Sequence, residues 1–297
     1  MVTVGLGLIS AFGYGSADFL AGLAARRASV IQITLLVYAV GAGAMIAVLP
    51  WLHDGTPSVG ALAWGAVSGC GCGAGALFLA AGFRRAPFSI AGPLSAVIGA
   101  GLSVIAGIAL GDRPASIAWA GLLLAVPAIL VVSSTAGSEG SGPGVRLPRH
   151  ARARRQRTAR LAGVGFGVPA GIGCAISLTG LAQASPSAGV WPVLAVQVAA
   201  LLTTAVVAVV TGDLRLAARG ARQPSAASGL IGAAAAVFYL LAAHAGMLAV
   251  AAVVTSLFPA VTVGLAAMVA KERLGPVRMV GLALTVGSVS LIALGGS

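Results

Sequence analysis

Residues 189–210 have the sequence GVWPVLAVQVAALLTTAVVAVV, a run without a single charged side chain. A helix needs about 20 mostly apolar residues to cross the hydrocarbon core of a bilayer. Backbone groups in lipid must also satisfy their own hydrogen bonds, which a helix does within one segment. The stretch therefore predicts a transmembrane helix.

Comparable apolar runs fill most of the chain. The whole sequence of 297 residues is 59% hydrophobic and 8% charged, whereas soluble domains are about a quarter charged. This composition excludes a soluble protein. The predicted spans are 3–24, 30–51, 59–82, 88–110 and 115–134 in the first half, and 161–183, 189–210, 227–247, 249–270 and 276–295 in the second.

The two halves resemble each other when the sequence is shifted by 160 positions. Without a gap, Ser95 falls on Thr255, Asp112 on Glu272, and Gly121-Leu122 on Gly281-Leu282. Five spans per copy is an odd number, so the second copy must enter the membrane upside down. The sequence predicts an all-α membrane protein of ten transmembrane helices, arranged as two inverted five-helix repeats of the kind found in secondary transporters.

The basic residues predict the orientation of the chain. All but one of the 18 Lys and Arg residues lie in connectors that follow odd-numbered spans, the exception being Arg113. By the positive-inside rule these connectors are cytoplasmic, which places both termini outside a plasma or inner cell membrane. Because the net charge of +12 is confined to short connectors, we expect the lipid bilayer and no nucleic acid as a partner.

A linker at 137–158 separates repeats at 1–136 and 159–297. It begins with Gly137-Ser138-Glu139-Gly140-Ser141-Gly142-Pro143-Gly144, a flexible composition, and continues with several arginines. These favour a solvated loop that sets topology; contact with anionic lipid or a regulatory contact is the alternative.

Two motifs carry a family resemblance. The first half contains Arg85-Ala86-Pro87-Phe88-Ser89-Ile90-Ala91-Gly92-Pro93-Leu94-Ser95 and then Gly111-Asp112-Arg113; the second contains Thr255-Ser256-Leu257-Phe258-Pro259-Ala260-Val261-Thr262 and then Lys271-Glu272-Arg273-Leu274. This pattern resembles the drug/metabolite transporter superfamily, and its EamA branch in particular. The resemblance implies two five-helix repeats and transport of amino acids, other metabolites or drugs. Asp112 stands where the family usually has Glu, and many members place both termini in the cytoplasm.

Asp18 is the outstanding candidate for contact with a solute. It lies in the middle of the first span, and intramembrane carboxyl groups are costly and usually face a cavity. It would exchange a proton or pair with a cationic group of the solute; the alternative is a hydrogen-bonded carboxyl group that fixes helix packing.

Other polar and helix-breaking residues complete the candidate site. Tyr14 lies one turn before Asp18 on the same helix face, and Tyr38 and Gln197 occupy similar depths in the second span of each half. These three would bind the solute or bridge helices. Trp191 and Tyr239 would line the cavity or anchor at the membrane interface, and His244 would sense pH or pack with a hydrogen bond. Pro93 and Pro259 would interrupt spans four and nine, marking a solute site or a plain kink.

Transport by alternating access is the function that these features favour. A membrane enzyme would need clustered acids or histidines, and a channel would need a ring of polar groups; neither pattern occurs in the sequence. The cysteines, Cys70, Cys72 and Cys174, lack metal-ligand spacing and predict small packing residues. We expect no metal, no cofactor and no ATP-binding loop. Protons and a small-molecule substrate are the expected partners, in a monomer or homodimer.

Overall fold

The structure is a computed structural model that describes most of the chain. Its backbone covers 1–25, 27–51, 55–85, 88–113, 115–136, 149–270, 280–281, 283–284, 287–288 and 290–291. Within these ranges the side chains at 80–94, 96, 118, 122, 128–130, 132–136, 149–160, 162–163, 259, 263, 266–267 and 270 are not described.

The described part of the chain is helical and contains no strand. The helices are α1 (Val2–Ala25), α2 (Val30–Val48), α3 (Val59–Arg85), α4 (Phe88–Ala109), α5 (Ser116–Ala136), α6 (Arg149–Ala182), α7 (Trp191–Thr211), α8 (Arg219–His244), α9 (Leu248–Thr255) and α10 (Phe258–Ala270). Two short 3₁₀ turns, Leu49–Trp51 and Pro186–Ala188, follow α2 and α6. The described residues of the last predicted span are also helical.

Six of the described helices are long and apolar enough to cross a bilayer: α1, α2 with its 3₁₀ turn, α7, α8, and the apolar parts of α3 and α6. Their outer faces carry large apolar side chains. On α7, for example, Leu202, Val206, Val209 and Val210 are each at least 60% exposed. Exposed apolar surface of this extent suits lipid rather than water, and the chain is a multi-pass membrane protein.

The predicted linker is partly helical, which corrects the expectation of a loop over its whole length. α6 begins at Arg149, before the predicted start of the sixth span at 161. Residues 149–158 contain no Gly or Pro and are rich in Arg and Ala, which are strong helix formers. The Gly- and Pro-containing part of the linker, 137–148, lies outside the described residues.

The ninth predicted span is broken, whereas the fourth is not. α9 ends at Thr255 and α10 begins at Phe258, so the break immediately precedes Pro259. α4 runs through position 93 as one helix, so Pro93 does not interrupt span four, and the alternative of a plain kink stays a prediction. A proline can be accommodated in a membrane helix when neighbouring groups satisfy the freed carbonyl groups.

Glycines allow the central helices to pack at short distance. Gly65, Gly69 and Gly73 lie one turn apart on α3 and face α7, where a Cβ added to Gly65 would lie 2.5 Å from the carbonyl oxygen of Pro192. On another face of α3, a Cβ added to Gly71 would lie 2.7 Å from the carbonyl oxygen of Gly173 in α6. Small residues at regular spacing are how membrane helices bring their backbones together.

The main helix contacts join the two halves of the chain. α1 packs most extensively on α8, α3 on α6 and α7, and α4 on α6. α2 contacts both α7 and α8, while α9 and α10 contact α1. The interior between the halves is therefore enclosed by helices from both.

Candidate functional site

A cavity of about 290 Å³ lies between the halves. Its wall is formed by α1, α2, α3, α6, α7 and α8, by Ser95 of α4, and by the break between α9 and α10. Most of the wall is apolar. Its polar side chains come from several helices: Tyr14, Asp18, Thr34, Tyr38, Cys72, Ser95, Cys174, Ser177, Gln197, Ser228, Thr255 and Ser256.

Asp18 is exposed and lines this cavity. Within the described part of the chain, no hydrogen bond to its carboxylate is present. Asp112 and Asp213 differ in this respect. Asp112 accepts a hydrogen bond of 2.7 Å from the backbone N–H of Ala249, and Asp213 accepts one of 2.8 Å from the side-chain amide of Gln32. These two acids bind near the starts of helices in the opposite half, whereas Asp18 is left to face the cavity.

Two tyrosines border the same space as Asp18. Tyr14 and Asp18 project from one face of α1, as their spacing predicts. Tyr38 lies on α2, and its hydroxyl oxygen is 3.2 Å from the sulfur of Cys72 on α3. The Tyr38–Cys72 contact joins two helices of the first half and leaves both side chains on the cavity wall.

Gln197 reaches the cavity from the second half. It is 5% exposed, and its side-chain amide packs directly over Gly41 of α2. A Cβ at Gly41 would lie 2.6 Å from its Nε2 atom. A glycine is therefore needed on α2 for the amide to occupy this position.

The break between α9 and α10 contributes Thr255, Ser256 and Phe258 to the wall. The hydroxyl group of Ser256 donates to the carbonyl oxygen of Ala252 at 2.7 Å. The hydroxyl group of Thr255 is buried and has no partner among the described residues. Because Pro259 has no N–H, the carbonyl group of Thr255 also lacks the usual helical donor four residues later.

Three other predicted residues, Tyr239, His244 and Trp191, are not among the described residues of the cavity wall. Tyr239 is fully buried and donates a hydrogen bond of 2.8 Å to the carbonyl oxygen of Leu178, joining α8 to α6. The Nε2 atom of His244 lies 2.7 Å from the carbonyl oxygen of Ala184. Trp191 is partly buried at the first residue of α7. Pro93 and Pro259 are described as backbone only.

The sequence reasoning missed several wall residues. Cys72 and Cys174, which the sequence predicts to be packing residues, line the cavity with Asp18 and the tyrosines. In the sequence, Thr255 stands out only as the counterpart of Ser95 and as part of a motif. A signal for it existed, because a hydroxyl residue four positions before a proline lies where a membrane helix loses a hydrogen bond.

The arrangement suits binding of a small polar molecule. It combines one carboxylate, phenolic and aliphatic hydroxyl groups, an amide and two thiols in an otherwise apolar space. The described residues contain no group of three His, Cys, Asp or Glu side chains that would hold a metal ion.

Comparisons with known proteins bear on the fold of the chain and on the sequence of its first half. No curated protein matches the chain. Among 27 matching chains of solved structures, one crystal structure superposes with a TM-score of 0.73 at 16% sequence identity, covering 96% of this chain and 98% of the other. At this identity the likeness concerns the fold alone. The family model described as the EamA-like transporter family matches residues 1–134. The resemblance to the EamA-like transporters of the drug/metabolite transporter superfamily is thereby confirmed as a similarity over residues 1–134.

Proposed function

We propose that the protein is a secondary transporter that moves a small solute across a cell membrane by alternating access. The single observation that carries this proposal is the cavity between the halves, where polar side chains meet at a broken helix. Transporter sites typically lie between repeats near the bilayer midplane, at discontinuous helices. The family match supports transport rather than catalysis.

The proposed architecture has ten spans in two inverted repeats, 1–136 and 159–297, joined by 137–158. Under this scheme α1, α2 and α3 correspond to α6, α7 and α8, and α4 corresponds to α9 with α10. The packing of α1 on α8 is then the counterpart of the packing of α6 on α3. In the same way, the packing of α4 on α6 is the counterpart of the packing of α9 and α10 on α1. Such reciprocal pairs are what a two-fold relation between the repeats would produce.

The energy for transport would come from a gradient, with Asp18 as the site that exchanges a proton. A carboxylate that faces a cavity without a partner among the described residues can take up either a proton or a group of the solute, but not both at once. We propose a small-molecule substrate and protons as partners, in a monomer or homodimer.

The test is solute flux in proteoliposomes with an imposed pH gradient, comparing the wild-type protein with Asp18→Asn. A panel of amino acids, amines and dyes is screened. We expect gradient-driven accumulation by the wild-type protein and its loss in the variant. Asp213→Asn is the matched control, because it removes an acid outside the cavity wall. Equal flux and equal pH dependence in Asp18→Asn would assign Asp18 a structural role, and no flux for any solute would contradict the carrier.

A further inference from the structure

The charge on the cavity wall has one sign. Among the described residues of the wall, Asp18 is the one acidic residue and none is Lys, Arg or His. On α8, the basic residue nearest in sequence to the cavity wall is Arg222, which lies six residues before Ser228. Its Nε atom donates a hydrogen bond of 2.9 Å to the carbonyl oxygen of Ala217. A bound solute would therefore meet a negative charge without a described positive counterpart.

The break in the ninth span adds hydrogen-bond acceptors, and the hydroxyl group of Thr255, which has no partner among the described residues, can accept as well as donate. The carbonyl group of Thr255 lacks its helical donor because position 259 is proline. Carbonyl groups at the ends of broken membrane helices commonly face cations. The hydroxyl of Ser256, which could otherwise donate to a solute, is already directed to Ala252.

The rest of the wall suits an apolar body that carries a cation. Tyr14 and Tyr38 present aromatic rings to the same space, and aromatic faces attract ammonium groups. The cavity, of about 290 Å³, has room for a small organic molecule.

A carboxylate on the solute would be unfavourable here. It would lie in the same low-dielectric space as Asp18, where like charges repel strongly, and the described wall offers it only neutral donors. An ammonium group instead forms a charge-assisted hydrogen bond with Asp18, about twice as strong as a neutral one.

We propose that the solute is a small organic amine, bound as its cation through Asp18, without a carboxylate of its own. This inference rests on the proposed transport function and narrows its substrate class. The proposal predicts that an amine binds in preference to the zwitterionic amino acid that carries the same apolar group.

Two matched series test the charge preference directly. The first is phenethylamine, phenylalanine and 3-phenylpropionate; the second is isoamylamine, leucine and 4-methylpentanoate. Each series keeps one apolar body and changes the charged groups. Binding to the wild-type protein in nanodiscs is measured by calorimetry at neutral pH, and flux of the same compounds is then measured in proteoliposomes.

We expect the amine of at least one series to bind about tenfold more tightly than its zwitterion and its anion, because both of these carry a carboxylate that Asp18 repels. Asp18→Asn should lose this preference, and Asp18→Glu, which keeps the charge, should retain it. Asp213→Asn should bind amines like the wild-type protein. All variants are compared at equal thermal stability and monodispersity.

Three results would overturn the proposal: no amine of either series binds, a zwitterion or anion binds at least as tightly as its amine, or Asp18→Asn binds amines unchanged. Failure of the transport function gives a different result. Amine binding without amine flux would support the amine site and contradict the transport function. Flux of an amino acid without amine binding would support the transport function and contradict the amine site.

Discussion

Two buried threonines differ in what their hydroxyl groups contact. Thr204 on α7 donates a hydrogen bond of 2.8 Å to the carbonyl oxygen of Ala200, whereas the hydroxyl of Thr255 has no partner among the described residues. A buried hydroxyl group without a partner costs about 1–3 kcal/mol. We expect Thr255→Val, which replaces the hydroxyl with a methyl group, to leave the free energy of unfolding unchanged or raise it by about 1 kcal/mol.

Thr204→Val is the matched control for this substitution. It removes a satisfied hydroxyl group outside the cavity wall, so we expect it to lower the free energy of unfolding by about 0.5–1.5 kcal/mol. Thermal unfolding of both variants in one detergent compares them with the wild-type protein. A larger loss of stability in Thr255→Val than in Thr204→Val would mean that the Thr255 hydroxyl has a partner in the folded protein.

At the scale of the helix, α3 depends on glycine for its contact with α7. A methyl group at Gly69 would collide with the backbone of Val196 and lie 2.7 Å from the side chain of Ala199. Because backbone atoms cannot move aside as a flexible side chain can, the two helices must separate. We expect Gly69→Ala to lower stability by about 1–3 kcal/mol, as overpacking does, and to lower the midpoint of thermal unfolding.

Gly60 provides the control on the same helix. A Cβ at Gly60 meets no atom within 4 Å, and alanine is the better helix former. Gly60→Ala should therefore unfold at the wild-type temperature or slightly above it. Equal midpoints for the two variants would contradict the close packing of α3 on α7.

The helices show which features a sequence can predict. Apolar runs such as 189–210 placed α7 within a few residues, because the thickness of the bilayer fixes the length of a span. Spacing along one helix correctly put Tyr14 and Asp18 on a shared face. The partners of each helix are not encoded in such local patterns. The meeting of Cys72, Cys174 and Thr255 around Asp18 depends on contacts between halves, which composition and spacing do not specify.

The orientation of the whole molecule is the property on which charge and family resemblance disagree. Basic residues concentrated after odd-numbered spans predict cytoplasmic loops there and both termini outside, while many EamA-like proteins have the reverse arrangement.

Ser187, between α6 and α7, and Arg215, between α7 and α8, are both exposed and lie in consecutive connectors. Ser187→Cys in intact cells should react with a membrane-impermeant maleimide, and Arg215→Cys should react only after the membrane is permeabilised. The parent chain, with its three cysteines, sets the background. Reaction of Arg215→Cys alone in intact cells would place both termini in the cytoplasm and show that the family arrangement prevails over the charge bias.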